Sequence, residues 1–194
     1  MQGELILKKQ KQIVQKAIIN IANIQRKEKI NQKLVRYIVE KTVFHMFCGS
    51  FHLDIIFCSP AYIKNLNKIY RDKDKTTDIL SFEFKEYDGE TYFIGELFIC
   101  PAVAKKNSLD FKDFWDKEGW TQVNKSAQIN KSEYLMDIDK DAEYSDFDKE
   151  IALLLIHGIL HLFGYDHEDN AENAQEMKEL QNILYRNAVS RLIT

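Results

Sequence analysis

The stretch His157-Gly158-Ile159-Leu160-His161-Leu162-Phe163-Gly164-Tyr165-Asp166-His167 decides how this chain is read. Two histidines four residues apart on a helix lie one turn above each other on the same face, with Cβ atoms about 6 Å apart. Their rings can converge on one ion. Gly164 then lets the chain leave the helix through a left-handed conformation that other residues resist, which turns His167 back toward the pair. Three imidazoles with one coordination position left open form the arrangement that Zn²⁺ uses for chemistry rather than for structure. No cysteine near the run completes a closed tetrahedron, so His157, His161 and His167 are expected to hold one catalytic Zn²⁺ ion. His45 and His52 stand alone and are expected to be satisfied core residues.

The same spacing occurs in the metzincin proteases, His-Glu-x-x-His-x-x-Gly-x-x-His. Those enzymes carry their glutamate general base after the first histidine, where this chain has Gly158. Glycine can neither deprotonate a zinc-bound water nor pass its proton to a leaving amine, so conventional proteolysis is disfavoured. Phosphodiester hydrolysis suits the site better. Zinc alone lowers the pKa of bound water from about 15.7 to about 7. The phosphoryl transition state spreads negative charge over its oxygens, so a cation serves it more than a second base.

A second run, from Asn65 to Phe82, supplies that cation. Asn67, Tyr70 and Arg71 fall at helical spacing near the end of a helix, and Arg71, Lys73 and Lys75 are candidates to contact phosphates. Arginine is the best of these because its planar fork matches two phosphate oxygens.

HGILHLFGYDH, with LNKIYRDKDKTTDILSF and the short signature Gly95-Glu96-Leu97, resembles the YbeY endoribonucleases, bacterial rRNA-maturation factors. The resemblance covers most of the chain. It implies a zinc-dependent hydrolase of single-stranded RNA in small-subunit (16S) rRNA 3′-end maturation and ribosome quality control. It places the metal ligands at His157, His161 and His167 and the functionally important arginine at Arg71. It also implies small-subunit ribosomal proteins and an Era-type GTPase as partners. Thr76 and Glu83 stand where the family commonly has proline, and Glu96 stands where it has aspartate. None of these removes a ligand. Two other readings are a non-catalytic ribosome-assembly factor with a structural zinc and, less favoured, a zinc peptidase.

At 194 residues the chain suggests one domain, 1–194, able to bury roughly two thirds of its unfolded surface. Apolar runs such as Ile151–Ile156 are too short to cross a bilayer, and the first residues lack a signal-peptide pattern. Cys48, Cys58 and Cys100 are few and odd in number, which fits reduced, buried thiols in a cytoplasmic protein. A net charge of −3 argues against general nucleic-acid affinity, although the first forty residues are rich in lysine and 110–150 is mainly acidic.

Periodicity predicts a strand over 16–24, with a helix running on from Lys8 as the alternative. It further predicts a helix over Asn31–Cys48, a strand over Phe51–Cys58 and a helix that Ser59-Pro60 starts. Strands Asp78–Phe84 and Phe93–Cys100 join through a turn at 87–90, and a helix follows over Ala102–Ser108. The metal helix is expected over Asp146–Leu162. A final helix over Ala171–Arg191 carries a core stripe of Ala174, Met177, Leu180, Ile183, Leu184 and Ala188. Residues 109–142 depart from the family pattern and read as an ordered, aromatic-bearing insertion. The fold class is α+β, a small mixed sheet packed with helices and a zincin-like metal helix.

Overall fold

The computed structural model describes residues 15–109, 144–167 and 171–189. The expected insertion at 109–142 lies outside these residues apart from Leu109.

Four strands form one sheet: β1 (Ala17–Asn23), β2 (Phe51–Phe57), β3 (Ile79–Tyr87) and β4 (Tyr92–Ile99). Their order is β1-β2-β4-β3, with β1 and β4 parallel to β2 and β3 antiparallel to β4 at the edge. The sheet is therefore mixed, as expected. In β2 the alternation of side chains sends Phe51, Leu53, Ile55 and Phe57 to one face, where all four are fully buried. The hairpin between β3 and β4 turns at Asp88, whose carboxylate accepts from the Glu90 and Thr91 amides. These bonds hold the Asp88 carboxyl below its ordinary range. Gly95 is required where the ladder shifts register, since a Cβ there would run into the Phe82 carbonyl oxygen.

Five helices complete the described fold: α1 (Gln32–Met46), α2 (Pro60–Arg71), α3 (Pro101–Leu109), α4 (Asp146–Leu162) and α5 (Ala171–Val189). Asn31 caps α1 by accepting from the Leu34 amide at 3.1 Å. Ser59 caps α2 ahead of Pro60. Ser145 and Asp148 form a reciprocal capping box at the start of α4. Residues of α1, α4 and α5 share the main core with the inward face of the sheet, while α2 covers part of the other face through Ile63 and Leu66.

The metal helix is anchored by this core. Ile151, Leu155, Ile156, Ile159, Leu160 and Leu162 are all nearly or fully buried. At roughly 1.5–3 kcal/mol for each such side chain, this burial gives α4 an apolar contribution to stability that involves no ion.

Several expectations are corrected. His45 is exposed, and His52 sits half-buried on the sheet face opposite the main core, paired with Asp54 at 2.7 Å and stacked near Phe93. Neither is a core histidine: a polar neighbour on the same strand suits an imidazole better than an apolar interior. Cys48 is exposed just past the end of α1, whereas Cys58 and Cys100 are buried. On α5 the buried stripe runs through Met177, Leu184, Tyr185 and Ala188, and Ile183 points out at 50% exposure.

Candidate metal centre and its cavity

Helix α4 places His157 and His161 on the side that faces β3, and Gly164 at φ +89° ends the helix. The turn returns His167 to the pair. One ligand nitrogen from each of the three residues lies within 4.8 Å of the others, so the trio could hold a metal ion. The Nε2 atoms of His157 and His161 are 3.1 Å apart, and His167 brings its ring centroid within 5.3 Å of both others. Among the described residues no other group of three His, Cys, Asp or Glu side chains converges in this way.

The chemistry of the donors fits. A histidine ligand must be neutral, and burial pushes both His157 and His161 below the ordinary imidazole range. Gln181 of α5 lies with its Oε1 2.9 Å from His157 Nδ1. With that Oε1 as acceptor, His157 donates through Nδ1 and keeps the Nε2 lone pair for a metal.

Gly158 packs directly against the sheet. A Cβ there would stand 2.6 Å from Ile79 Cδ1 and 2.8 Å from Leu97 Cδ2. The position that carries the base in metzincins is packed against the sheet here, and a glutamate cannot be accommodated without displacing core side chains.

The three histidines open into a cavity of about 460 Å³ that Arg71, Asp78, Ser81 and Asp166 also line. Arg71 arrives from the opposite sheet face. It is the last residue of α2, where Asp72 adopts a left-handed conformation at φ 53° and ends the helix. Asn67, one turn earlier, is buried and donates from Nδ2 to the Lys75 carbonyl at 2.8 Å, which ties down the loop leading to Asp78. Lys73 and Lys75 do not line the cavity, so of the three expected phosphate contacts the structure brings only Arg71 to the histidines.

The sequence matches the family model of Endoribonuclease YbeY over residues 12–121 and 135–188. The chain belongs to the YbeY endoribonuclease family. Among YbeY relatives, the endoribonuclease of Thermotoga maritima is 31% identical over 154 residues, covering 79% of this chain and 75% of that one. That of Petrotoga mobilis is 30% identical over 165 residues, covering 84% and 90%. A solution structure of a Thermotoga maritima protein superposes with a TM-score of 0.51 at 28% identity, covering 89% of this chain and 90% of that one.

Three residues of this YbeY chain escaped the sequence reading. Gln181 lay in a helix explained wholly by its apolar stripe. Asp78 stands in the 65–82 run with no role that its sequence position assigns; its carboxylate accepts from the Ile79 amide at 2.9 Å and from Asn107 Nδ2 at 3.1 Å. Glu150, two turns before His157, is buried at 5% exposure. Burial first, and the Asp78 carboxylate second, push its carboxyl up to about 7, against a hydrogen bond with Asn107. In the sequence Glu150 simply continues the polar start of the helix, after Asp146, Asp148 and Lys149, and nothing local marks it as buried.

Proposed function

We propose that this protein is a zinc-dependent endoribonuclease that cuts single-stranded RNA, with His157, His161 and His167 as the ligands of one Zn²⁺ ion and Arg71 as the residue that stabilises developing phosphate charge. The observation that carries this reading is the meeting of three imidazoles with a guanidinium in one cavity. Zinc bound there would polarise a phosphate oxygen and bring the pKa of a bound water toward about 7. The chain's own residues do the rest. Gln181 orients His157, and Arg71 offers a planar pair of donors to the non-bridging oxygens. The packing of Gly158 supports RNA rather than peptide as substrate.

The biological setting rests on family membership: 16S rRNA 3′-end maturation and ribosome quality control in the cytoplasm, with small-subunit proteins and an Era-type GTPase as partners. No helix among the described residues is long and apolar enough to cross a membrane. We also read residues 1–194 as one domain with an insertion at about 109–142.

The deciding experiment pairs metal analysis with cleavage of a defined single-stranded RNA, its duplex and an unstructured peptide, each with and without chelator. Cleavage of the single strand alone, lost on chelation and restored by zinc, is expected. Peptide hydrolysis, or RNA cleavage indifferent to chelator, would overturn the reading. The zinc-free protein is expected to remain folded and to unfold cooperatively, at a melting temperature lowered only by the loss of the bound ion, because α4 also packs in the core. Unfolding on chelation would favour a structural metal.

A further inference from the structure

Behind the metal cavity lies a second one, of about 230 Å³, between α4, α5 and the start of β3. The two share Asp78, Ile79 and His157 as a common wall. The second is completed by Glu150, Leu153 and Leu154 of α4 and by Gln181 of α5. Nothing in the proposed hydrolysis uses it.

The two cavities differ in their cations. The first is lined by the Arg71 guanidinium and the three histidines, together with the Asp78 and Asp166 carboxyl groups. The second is lined by two carboxyl groups, those of Asp78 and Glu150, and by no lysine or arginine. A phosphate finds a cationic partner in the first and none in the second. At about 230 Å³ the second is also smaller than the roughly 300–1,000 Å³ of sites for drug-sized ligands, which restricts an occupant to a single ring system. Ile79, Leu153 and Leu154 give it apolar walls for the faces of a ring, and Asp78 and Glu150 offer carboxyl oxygens at its edge. Carboxyl oxygens accept from exocyclic amino groups, as acidic side chains do from the cytosine amine.

We propose that this second cavity is the subsite for an amino-bearing nucleobase, adenine or cytosine, of the nucleotide next to the scissile phosphate. The inference rests on the endoribonuclease reading above and adds to it the group that selects where the strand is cut. The sugar would bridge the shared wall at Asp78, with base on one side and phosphate on the other.

The test uses zinc-loaded full-length protein and four probes: AMP, CMP, UMP and ribose 5-phosphate, which carries the phosphate without a base. Calorimetry measures affinity, and ¹³C-methyl spectra report Leu153 and Leu154. AMP or CMP is expected to bind about tenfold more tightly than ribose 5-phosphate and than UMP, with shifts of both leucines' methyls. Leu153→Trp, which fills the cavity from its partly exposed side, is expected to abolish the difference between CMP and ribose 5-phosphate. Equal affinity for all four probes, or methyls that do not respond, would overturn the subsite while leaving the endoribonuclease reading intact. These two results need no variant to fold. Failure of every probe to bind the zinc-loaded protein would instead remove the phosphate site, and the subsite with it.

Discussion

His157 and Gln181 are joined by a 2.9 Å contact between Nδ1 and Oε1 that links the metal helix to the last helix of the fold. The contact sets which nitrogen of His157 is left for a metal, and it does so from an element that supplies no ligand. Replacing Gln181 with leucine keeps the approximate volume and removes the acceptor. Zinc affinity is expected to fall about 10- to 100-fold, the usual cost of losing an outer-shell partner, with little change in the melting temperature of the zinc-free protein. Competition with a chromophoric chelator measures this directly. A glutamate at 181 restores an acceptor and should restore most of the affinity; equal zinc affinity in all three proteins would remove the role assigned to Gln181.

Arg71 sits at the exposed end of α2 and reaches the cavity at its open side, away from the core. Arg71→Ala should therefore leave folding and zinc content unchanged. Single-turnover RNA cleavage should fall by about 10²–10³, the range for deleting one donor to a developing oxyanion. Arg71→Lys keeps the charge but loses the planar pair of donors, so partial activity is expected. Full cleavage by the alanine variant with zinc bound would refute the assignment.

The histidines were legible in the sequence because all three lie within eleven residues, on one helix and the turn after it. Local geometry fixes their approach whatever the rest of the fold does. The strands were legible from alternation, and the capped start of α2 from Ser59-Pro60. What stayed hidden was brought together by tertiary packing. Gln181 meets His157 across 24 residues of sequence, and Asn107 meets Asp78 across 29. His52 finds Asn20 only because β1 and β2 pair in parallel. On α5 the choice between Ile183 and Tyr185 as the buried residue depends on the angle at which the helix meets α1 and α4, and no repeat within the helix encodes that angle.

Gly158 separates this site from a peptidase by packing as well as by chemistry. Alanine there gains about 1 kcal/mol of helix propensity, but its methyl must displace Ile79 and Leu97, at about 1–3 kcal/mol for an overpacked core. The expected net change in urea denaturation is a loss of up to about 2 kcal/mol. Gly158→Glu should be much worse, since its carboxylate would enter the helix–sheet interface without a partner. No peptide hydrolysis should appear in that variant; a folded Gly158→Glu protein that cleaves peptides would show that the glycine, and not the cavity, had set the reaction.

Glu150 makes stability depend on pH in an unusual direction. Its carboxyl titrates near 7 in the folded protein against 4.5 for an ordinary glutamate, so between these values the native state keeps a proton that the unfolded chain has released. Stability from this group is complete below about pH 4.5, declines as pH rises toward 7 by up to about 1.4 kcal/mol per pH unit, and is flat above. The Asp78 carboxylate adds to burial in raising the value, and Asn107 opposes both. On the far side, Glu150 and Asp146 act with burial to push the Tyr185 hydroxyl upward. Glu150→Gln holds an uncharged isostere at every pH. Denaturant melts of wild type and variant from pH 5 to 8 should therefore diverge as pH rises, with the variant gaining relative to wild type up to about pH 7 and holding that gain above it. A difference that does not change with pH would mean that Glu150 is already ionised in the folded protein, with its charge compensated within the cluster.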